Sequence, residues 1–191
     1  MATRDTLIEA TSELLWERGY SGTSPAMIQK RAHAGQGSMY HHFSGKADLA
    51  TAAMTHSADL LRQTAEATLG TGETAIERVT AYLDMERDPL AGCRIGRLVQ
   101  DADIVDDQTL RLPAAEFFAW LVERITQVFT EGVERGELRP DVDARAAASL
   151  VVASVQGAYV LARALEDPAS FARAMDAAKQ AVRALSHGTV A

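Results

Sequence analysis

Apolar residues recur along the chain with the spacing of helices. In RDTLIEATSELLWERGY, Leu7, Ala10, Leu14 and Leu15 stand at i, i+3, i+7 and i+8, one apolar stripe of a helix that Gly19 is placed to stop. TSPAMIQKRA follows, with Ser24 at an N-cap position and Pro25 at the first helical position, where its missing N–H costs nothing. This predicts a second helix of two or three turns. After a break at HAG, QGSMYHHF predicts a third short helix whose Met39 and Phe43, four apart, face inward. Longer helices are expected over residues 46–69, closed by GTG; 73–87, before Pro89; 92–102; 113–135, closed by Gly136; 143–166; and 168–186. Period-two alternation is absent, as are internal repeats and low-complexity segments. The pattern predicts an all-α fold of about nine helices.

With 191 residues, 47% of them apolar, the chain is long enough for one domain of ordinary size, or for a small module attached to a larger one. A single cysteine, Cys93, cannot form an intrachain disulfide, and no N-terminal stretch joins a basic start to an apolar run and a cleavage site. A cytoplasmic location is expected. No window holds eighteen or more uninterrupted apolar residues, so neither a membrane-spanning helix nor a membrane partner is expected. The formal charge of −7 argues against a generally basic nucleic-acid binder. That charge is uneven, however: residues 1–50 hold five Lys/Arg (Arg4, Arg18, Lys30, Arg31, Lys46) against five Asp/Glu, and the remainder holds 14 against 21. Any DNA contact must be local to the N-terminal part.

Two short helices joined by about four residues and supported by an amphipathic first helix make a helix-turn-helix. In that arrangement the second helix of the pair inserts its N-terminal residues into the major groove while the first crosses the backbone. Gln36, at the start of that second helix, carries an amide able to pair with N6 and N7 of adenine, and Ser38 can donate to or accept from several bases. Gly37 has no side chain, so the backbone can approach DNA closely. Tyr40, His41, His42 and Lys46 are donors placed beyond the base-reading residues, where phosphates run. Lys46 also opens the next helix, whose N-terminal N–H groups favour an anion, and Ser24 plays the same part on the other flank. Adjacent helical residues point in different directions, which argues against His41 and His42 as a metal pair. No metal or cofactor is expected. Cys93 reads as a lone buried thiol, DADIVDD (101–107) as acidic residues closing a helix or filling a surface loop, and Asp5, Glu9, Glu13 and Glu17 as a solvated helix face.

The run GYSGTSPAMIQKRAHAGQGSMYHHFSGKADL, residues 19–49, resembles the DNA-binding domain of TetR-family transcriptional regulators. The family pattern is matched without a gap at Gly19, Tyr20, Thr23, Ser24, Ile28, Ala32, Gly37, Tyr40, His42, Phe43, Lys46 and Leu49. The resemblance implies a three-helix helix-turn-helix domain over residues 1–46, with DNA contacts from Thr23, Ser24, Gln36, Gly37, Ser38, Tyr40, His41, His42 and Lys46, and a helical effector-binding and dimerisation domain over 47–191. The departures are specific. His33 stands where the family usually has the turn glycine, and a left-handed conformation is costlier for histidine. Ala34 and Gly35 replace the usual Val and Ser, so the recognition helix loses a capping hydroxyl, at a cost of only a few tenths of a kcal/mol by rough estimate. Gln29 replaces an alanine and is either solvated or set on a phosphate. Ala26 lacks the base-reading arginine of some relatives.

Residues 47–191 show no P-loop, nucleotide-binding glycine fingerprint or nucleophile elbow, so an enzyme is not expected. They hold apolar helices with scattered aromatics and a few polar groups: Met54, Leu61, Tyr82, Met85, Leu98, Phe117, Phe118, Trp120, Leu121, Gln156 and Tyr159. Core packing is the ordinary fate of any one of them. As a group they are candidates for the wall of a pocket for an apolar or aromatic small-molecule effector, because regulators of the resembled family bind an effector in this half. GCRIGRLVQD (92–101) is similar to a subgroup with a Gly-Cys start to the sixth helix; its Arg94 and Arg97 could meet an anionic effector, although exposure with salt bridging is their commoner fate. The last two helices carry Ala146, Ser149, Leu150, Ala153, Val160 and Leu161, and small residues allow close helix approach. In the family this pair forms a four-helix bundle with its symmetry mate, so a homodimer on a palindromic operator is implied. The resemblance thus implies a ligand-responsive repressor of double-stranded operator DNA. A transcriptional activator, or a regulator sensing through a protein partner, is the alternative, and a helical carrier or enzyme with a relict head is a third.

Overall fold

Side-chain caps decide where the chain turns. The structure, a computed structural model, describes residues 3–187. Among them are nine α-helices: α1 Arg4–Arg18, α2 Pro25–Arg31, α3 Gln36–His42, α4 Lys46–Leu69, α5 Ala75–Leu83, α6 Ala102–Asp106, α7 Gln108–Glu134, α8 Ala144–Ala164 and α9 Pro168–Arg183. The fold is all-α. An isolated antiparallel bridge joins Leu138 to Ser186. Packing divides the chain into two units, one of Met1–Leu61 with Cys93–Phe117 and the other of Arg62–Gly92 with Phe118–Ala191.

In the first unit α1 is capped by Thr3, whose hydroxyl accepts from the Thr6 N–H, and stopped at Gly19, whose φ of 75° few other residues adopt. Ser24 caps α2 by accepting from the Met27 N–H, with Pro25 at the first position. Gly35 caps α3 with no side-chain bond. Between these two helices His33 takes φ 49°, the left-handed conformation that the helix-turn-helix demands of it. Leu7, Leu14, Ile28, Met39, Phe43 and Leu49 close one apolar cluster under α1 to α4. The Ser12 hydroxyl donates to the Ala53 carbonyl at 3.0 Å and ties α1 to α4.

The stretch 92–102, expected as one helix, is instead a series of turns with a single 3-10 turn at Leu98–Gln100. Gly92 enters it at φ 84°. Asp101 ends it in an extended conformation (φ −87°, ψ 122°), and its carboxylate accepts from the Asp103 N–H at 3.2 Å to start α6. α7 begins five residues before Pro113, because Asp107 accepts from the N–H groups of Thr109 and Leu110 at 2.8 and 3.2 Å and sets the start there. The proline is accommodated inside the helix.

In the second unit α5 opens with a capping box, Thr74 and Glu77 each accepting from the other's backbone N–H. α9 packs on both α5 and α8. Arg78 pairs with Glu131 at 2.7 Å, and Arg124 meets both carboxylate oxygens of Glu66 at 3.0 and 2.9 Å. No run of α8 is uninterrupted, but by length and composition alone it is apolar enough to cross a membrane, with 28% of its apolar window buried. It also carries Arg145, Gln156 and Arg163, which are costly in a bilayer.

Candidate nucleic-acid interface

α3 has an inner and an outer face. Met39 is fully buried and Phe43, its C-cap, nearly so, as their spacing predicts. Gln36, Gly37, Tyr40, His41 and His42 are exposed, Tyr40 to 51%, and Ser38 is half-buried. The sequence-expected reading residues Gln36, Gly37 and Tyr40 therefore stand together on the side of α3 away from the core. His41 and His42 lie edge to face with their ring centroids 4.9 Å apart. A Cβ built on Gly37 meets nothing within 4 Å, so no contact inside the protein requires a glycine there.

Thr23 and Ser24 are placed differently. Thr23 is 2% exposed and its hydroxyl donates to the Gly19 carbonyl at 2.7 Å, closing the turn between α1 and α2. Ser24 is half-buried with its hydroxyl at the N-terminus of α2, 3.3 Å from the Met27 nitrogen. Gln29 turns toward α3, where its amide lies 3.9 Å from the Met39 sulfur.

The cations of the head are unequal. Arg31 grips Glu17 through two hydrogen bonds of 2.7 and 2.8 Å and reaches Glu13 at 3.4 Å, so these two acids are paired with an arginine rather than merely solvated. The hydrogen bond from Arg31 holds the Glu17 carboxyl below its ordinary value and Arg31 above its own. Lys46 is held by another kind of partner: its ammonium stands 3.8 Å from the centroid of the Tyr20 ring. At the N-terminus of α4 the chain supplies its own anion, since Asp48 accepts from the Ser44 N–H and hydroxyl at 2.9 and 3.1 Å. Lys30 is exposed on α2.

Sequence reasoning named Arg94, Arg97 and the acids of 101–107 but missed that they anchor this head. Asp101 accepts from the Ser21 N–H at 3.0 Å, and the Ser21 hydroxyl lies 2.9 Å from carboxylate oxygens of both Asp101 and Asp103. A hydroxyl has one proton, so it donates to one of them at a time. Burial pushes the Asp101 carboxyl up, but the hydrogen bonds from Ser21, Asp103 and the Tyr20 backbone together outweigh it and hold the group below its ordinary value. Burial also raises the Tyr20 phenol, with Asp103, Asp107 and Asp101 adding to the effect. Arg94 stands 3.9 Å over the Trp16 ring, and Arg97 donates to the Trp16 carbonyl. These partners are some eighty residues apart, and no local spacing announces them.

The expected effector residues fall in both units. In the first, Met54, Leu98 and Phe117 are buried and Leu61 half-buried. In the second, Tyr82 and Leu121 are buried and Met85, Phe118, Trp120, Gln156 and Tyr159 half-buried. Tyr82 is under the Arg87 guanidinium (5.0 Å), Trp120 under that of Arg62 (5.9 Å), and Tyr159 packs on Phe171 (4.8 Å). A separate cleft of about 310 Å³ in the second unit, lined by residues such as Val142, Leu150, Val151, Val182 and Leu185, includes none of them. Cys93 is half-buried, its sulfur accepting from the Gly96 N–H at 3.2 Å.

Known proteins share this arrangement. Residues 7–53 match the family described as bacterial regulatory proteins, tetR family, and residues 73–178 match the tetracyclin repressor-like C-terminal domain. The chain is 31% identical over 167 residues to the transcriptional regulator AcuR of Cereibacter sphaeroides, spanning 82% of this chain and 74% of that one. It is 29% identical over 164 residues to the HTH-type transcriptional repressor DhaR of a Mycobacterium species, spanning 82% and 80%. A TetR-family regulator from Chloroflexus aurantiacus superposes with a TM-score of 0.85 at 28% identity, over 96% of this chain and 95% of that one. With both halves matched and a relative at that identity, the chain belongs to the tetR family of bacterial regulatory proteins, DNA-binding regulators of transcription.

Proposed function

We propose that the chain is a ligand-responsive repressor that binds a palindromic operator as a homodimer, with residues 1–46 as the reading head and 47–191 as the effector-binding and dimerising part. The observation that carries the reading is the uncovered face of α3, on which Gln36, Gly37 and Tyr40 stand together while Met39 and Phe43 anchor the helix from behind. Gln36 pairs with a base edge, Gly37 admits the sugar-phosphate backbone, and Tyr40, His41, His42 and Lys46 contact phosphates, with Ser38 and Ser24 at the margins. Thr23 contributes by shaping the turn. The repressor sense is supported by the name of the Mycobacterium relative. A cytoplasmic location accords with this role.

Dimerisation through α8 and α9 is supported by the apolar side that α8 leaves uncovered, with Leu150, Val160 and Leu161 each more than half exposed. Two recognition helices about 34–36 Å apart would then meet successive major grooves. An apolar or aromatic effector bound within residues 47–191 would release the operator. It does so only by binding the released shape more tightly, since equal affinity for both shifts nothing. α4 carries Lys46 as its first residue and runs on for 24 residues, so a ligand that displaces α4 displaces that contact.

Enrichment of random duplex DNA on the purified protein, followed by affinity at several salt concentrations, tests the reading. An enriched palindrome, with binding reduced by about 1–3 kcal/mol in Gln36→Ala, is the expected result. Weak binding to all sequences that vanishes as salt rises would mean phosphate attraction alone and would overturn it.

A further inference from the structure

We propose that Tyr20 is a positioning residue for DNA contact: its ring is the platform that holds the Lys46 ammonium toward the phosphate backbone. The inference rests on the reading of Lys46 as a phosphate contact. The geometry is direct, with Lys46 Nζ 3.8 Å from the ring centroid, well inside the range of roughly 6 Å over which a ring face attracts a cation.

The platform is itself fixed. Tyr20 follows the Gly19 stop of α1, its carbonyl accepts from the Thr23 N–H at 3.1 Å, and its own N–H donates to Asp101. The phenol is partly buried beside Asp101, Asp103 and Asp107. The residue that carries the ring is thus held from α1, from the turn before α2 and from the acidic segment.

What a ring does for a lysine differs from what a carboxylate does. Arg31 is gripped by Glu17, a carboxylate that offsets its charge where it stands. An aromatic face orients an ammonium without neutralising it and leaves its N–H donors on the far side for another anion. A lysine has a long, freely rotating stem and acts as a point charge, so fixing its direction is the part the protein must supply.

The test uses the full chain and a duplex operator obtained by enrichment. Affinity is titrated with salt for wild type, Lys46→Met, Tyr20→Leu, Tyr20→Phe and the Tyr20→Leu/Lys46→Met double variant. Lys46→Met should reduce the slope of log affinity against log salt by about 0.9 for each Lys46 on a phosphate. Tyr20→Leu should reduce it similarly and weaken binding about two- to fivefold at fixed salt. Tyr20→Phe should keep the wild-type slope, and the double variant should bind no worse than Lys46→Met. A ring that merely fills space would change affinity without changing the count of phosphates. Lys46→Met with the wild-type slope would sink the phosphate reading of Lys46, and the inference with it. A reduced slope in Lys46→Met but not in Tyr20→Leu would sink the inference alone. Should Tyr20→Leu fail to fold, the Lys46 ε-methylene protons of the wild-type protein decide: a ring-current shift upfield is expected, and an ordinary lysine position would overturn the proposal.

Discussion

At the scale of single residues, the reading head separates positions that serve the fold from positions that serve a partner. On the proposed function, Gly37 is the clearest of the second kind. It lies in the first turn of a helix, where a Cβ would meet nothing, so the free protein has no steric reason to keep glycine. Gly37→Ala should leave thermal stability equal or up to about 0.5 kcal/mol higher, the low end of the helix preference for alanine. Operator affinity should fall by about 1–3 kcal/mol, comparable to a lost base contact. A variant that binds as tightly as wild type would remove Gly37 from the interface. Thr23, buried and bonded to the Gly19 carbonyl, is proposed as one of the first kind. Thr23→Val strips the bond to the Gly19 carbonyl, and unfolding should become easier by about 0.5–1.5 kcal/mol while the salt dependence of DNA binding stays as it was. A changed salt slope would restore Thr23 as a phosphate contact. The sequence pattern made the exposed side of α3, with Gln36, Gly37 and Tyr40 on it, legible because the faces of one short helix are set by local spacing. It could not separate Thr23 from Ser24, since a threonine hydroxyl serves equally well for a phosphate or for the carbonyl four residues back.

At the scale of elements, most helix positions followed from caps and stripes, and the misplaced one is instructive. Over 92–102 the sequence offered a helix-compatible run, but the chain enters it at Gly92 with φ 84° and turns, and at its far end Asp101 is extended and recruited by Ser21 from a distant part of the chain. At that end a tertiary contact stands where local preference would continue a helix. The same residue gives a pH signature. Its carboxyl is held below its ordinary value in the folded protein, so the stabilisation it provides is fully present above the unfolded value of about 3.9 and is lost as pH falls through the lower folded value. Asp101→Asn should therefore lower the unfolding midpoint at neutral pH, and the gap to wild type should narrow as pH drops below about 4. A gap that is constant from neutral to acid pH would show that the charge of Asp101 is not what Ser21 requires. Pro113 misled in a related way. A proline suits a helix start, yet Asp107 caps α7 earlier and the ring is carried within the helix.

At the scale of the molecule, the question is what the apolar side of α8 is for. Leu150, Ala153, Gly157, Val160 and Ala164 follow one another at steps of three and four, with Leu161 beside Val160 and four residues after Gly157, and all six are exposed, so they form a stripe on one side of the helix. A stripe of this kind on a helix that also carries Arg145 and Arg163 fits contact with protein better than immersion in lipid. The small residues within it permit close approach of a second helix. This much was legible in the alanine-rich pattern. The wall of an effector pocket is not legible in the same way, because an aromatic in a pocket wall and an aromatic in a core obey the same spacing. If the stripe meets its counterpart on a second copy, Leu161→Glu places a charge at the centre of a two-fold contact and meets its own image there. The side chain is 51% exposed in the single chain, so the helical content and the unfolding of the isolated subunit should barely change. Sedimentation should then shift from dimer to monomer at micromolar concentration, and operator binding should fall with it, because a palindrome is read by two heads held at one spacing. A Leu161→Glu protein that still sediments as a dimer would place the dimer contact on another surface and leave the α8 stripe in need of a different partner.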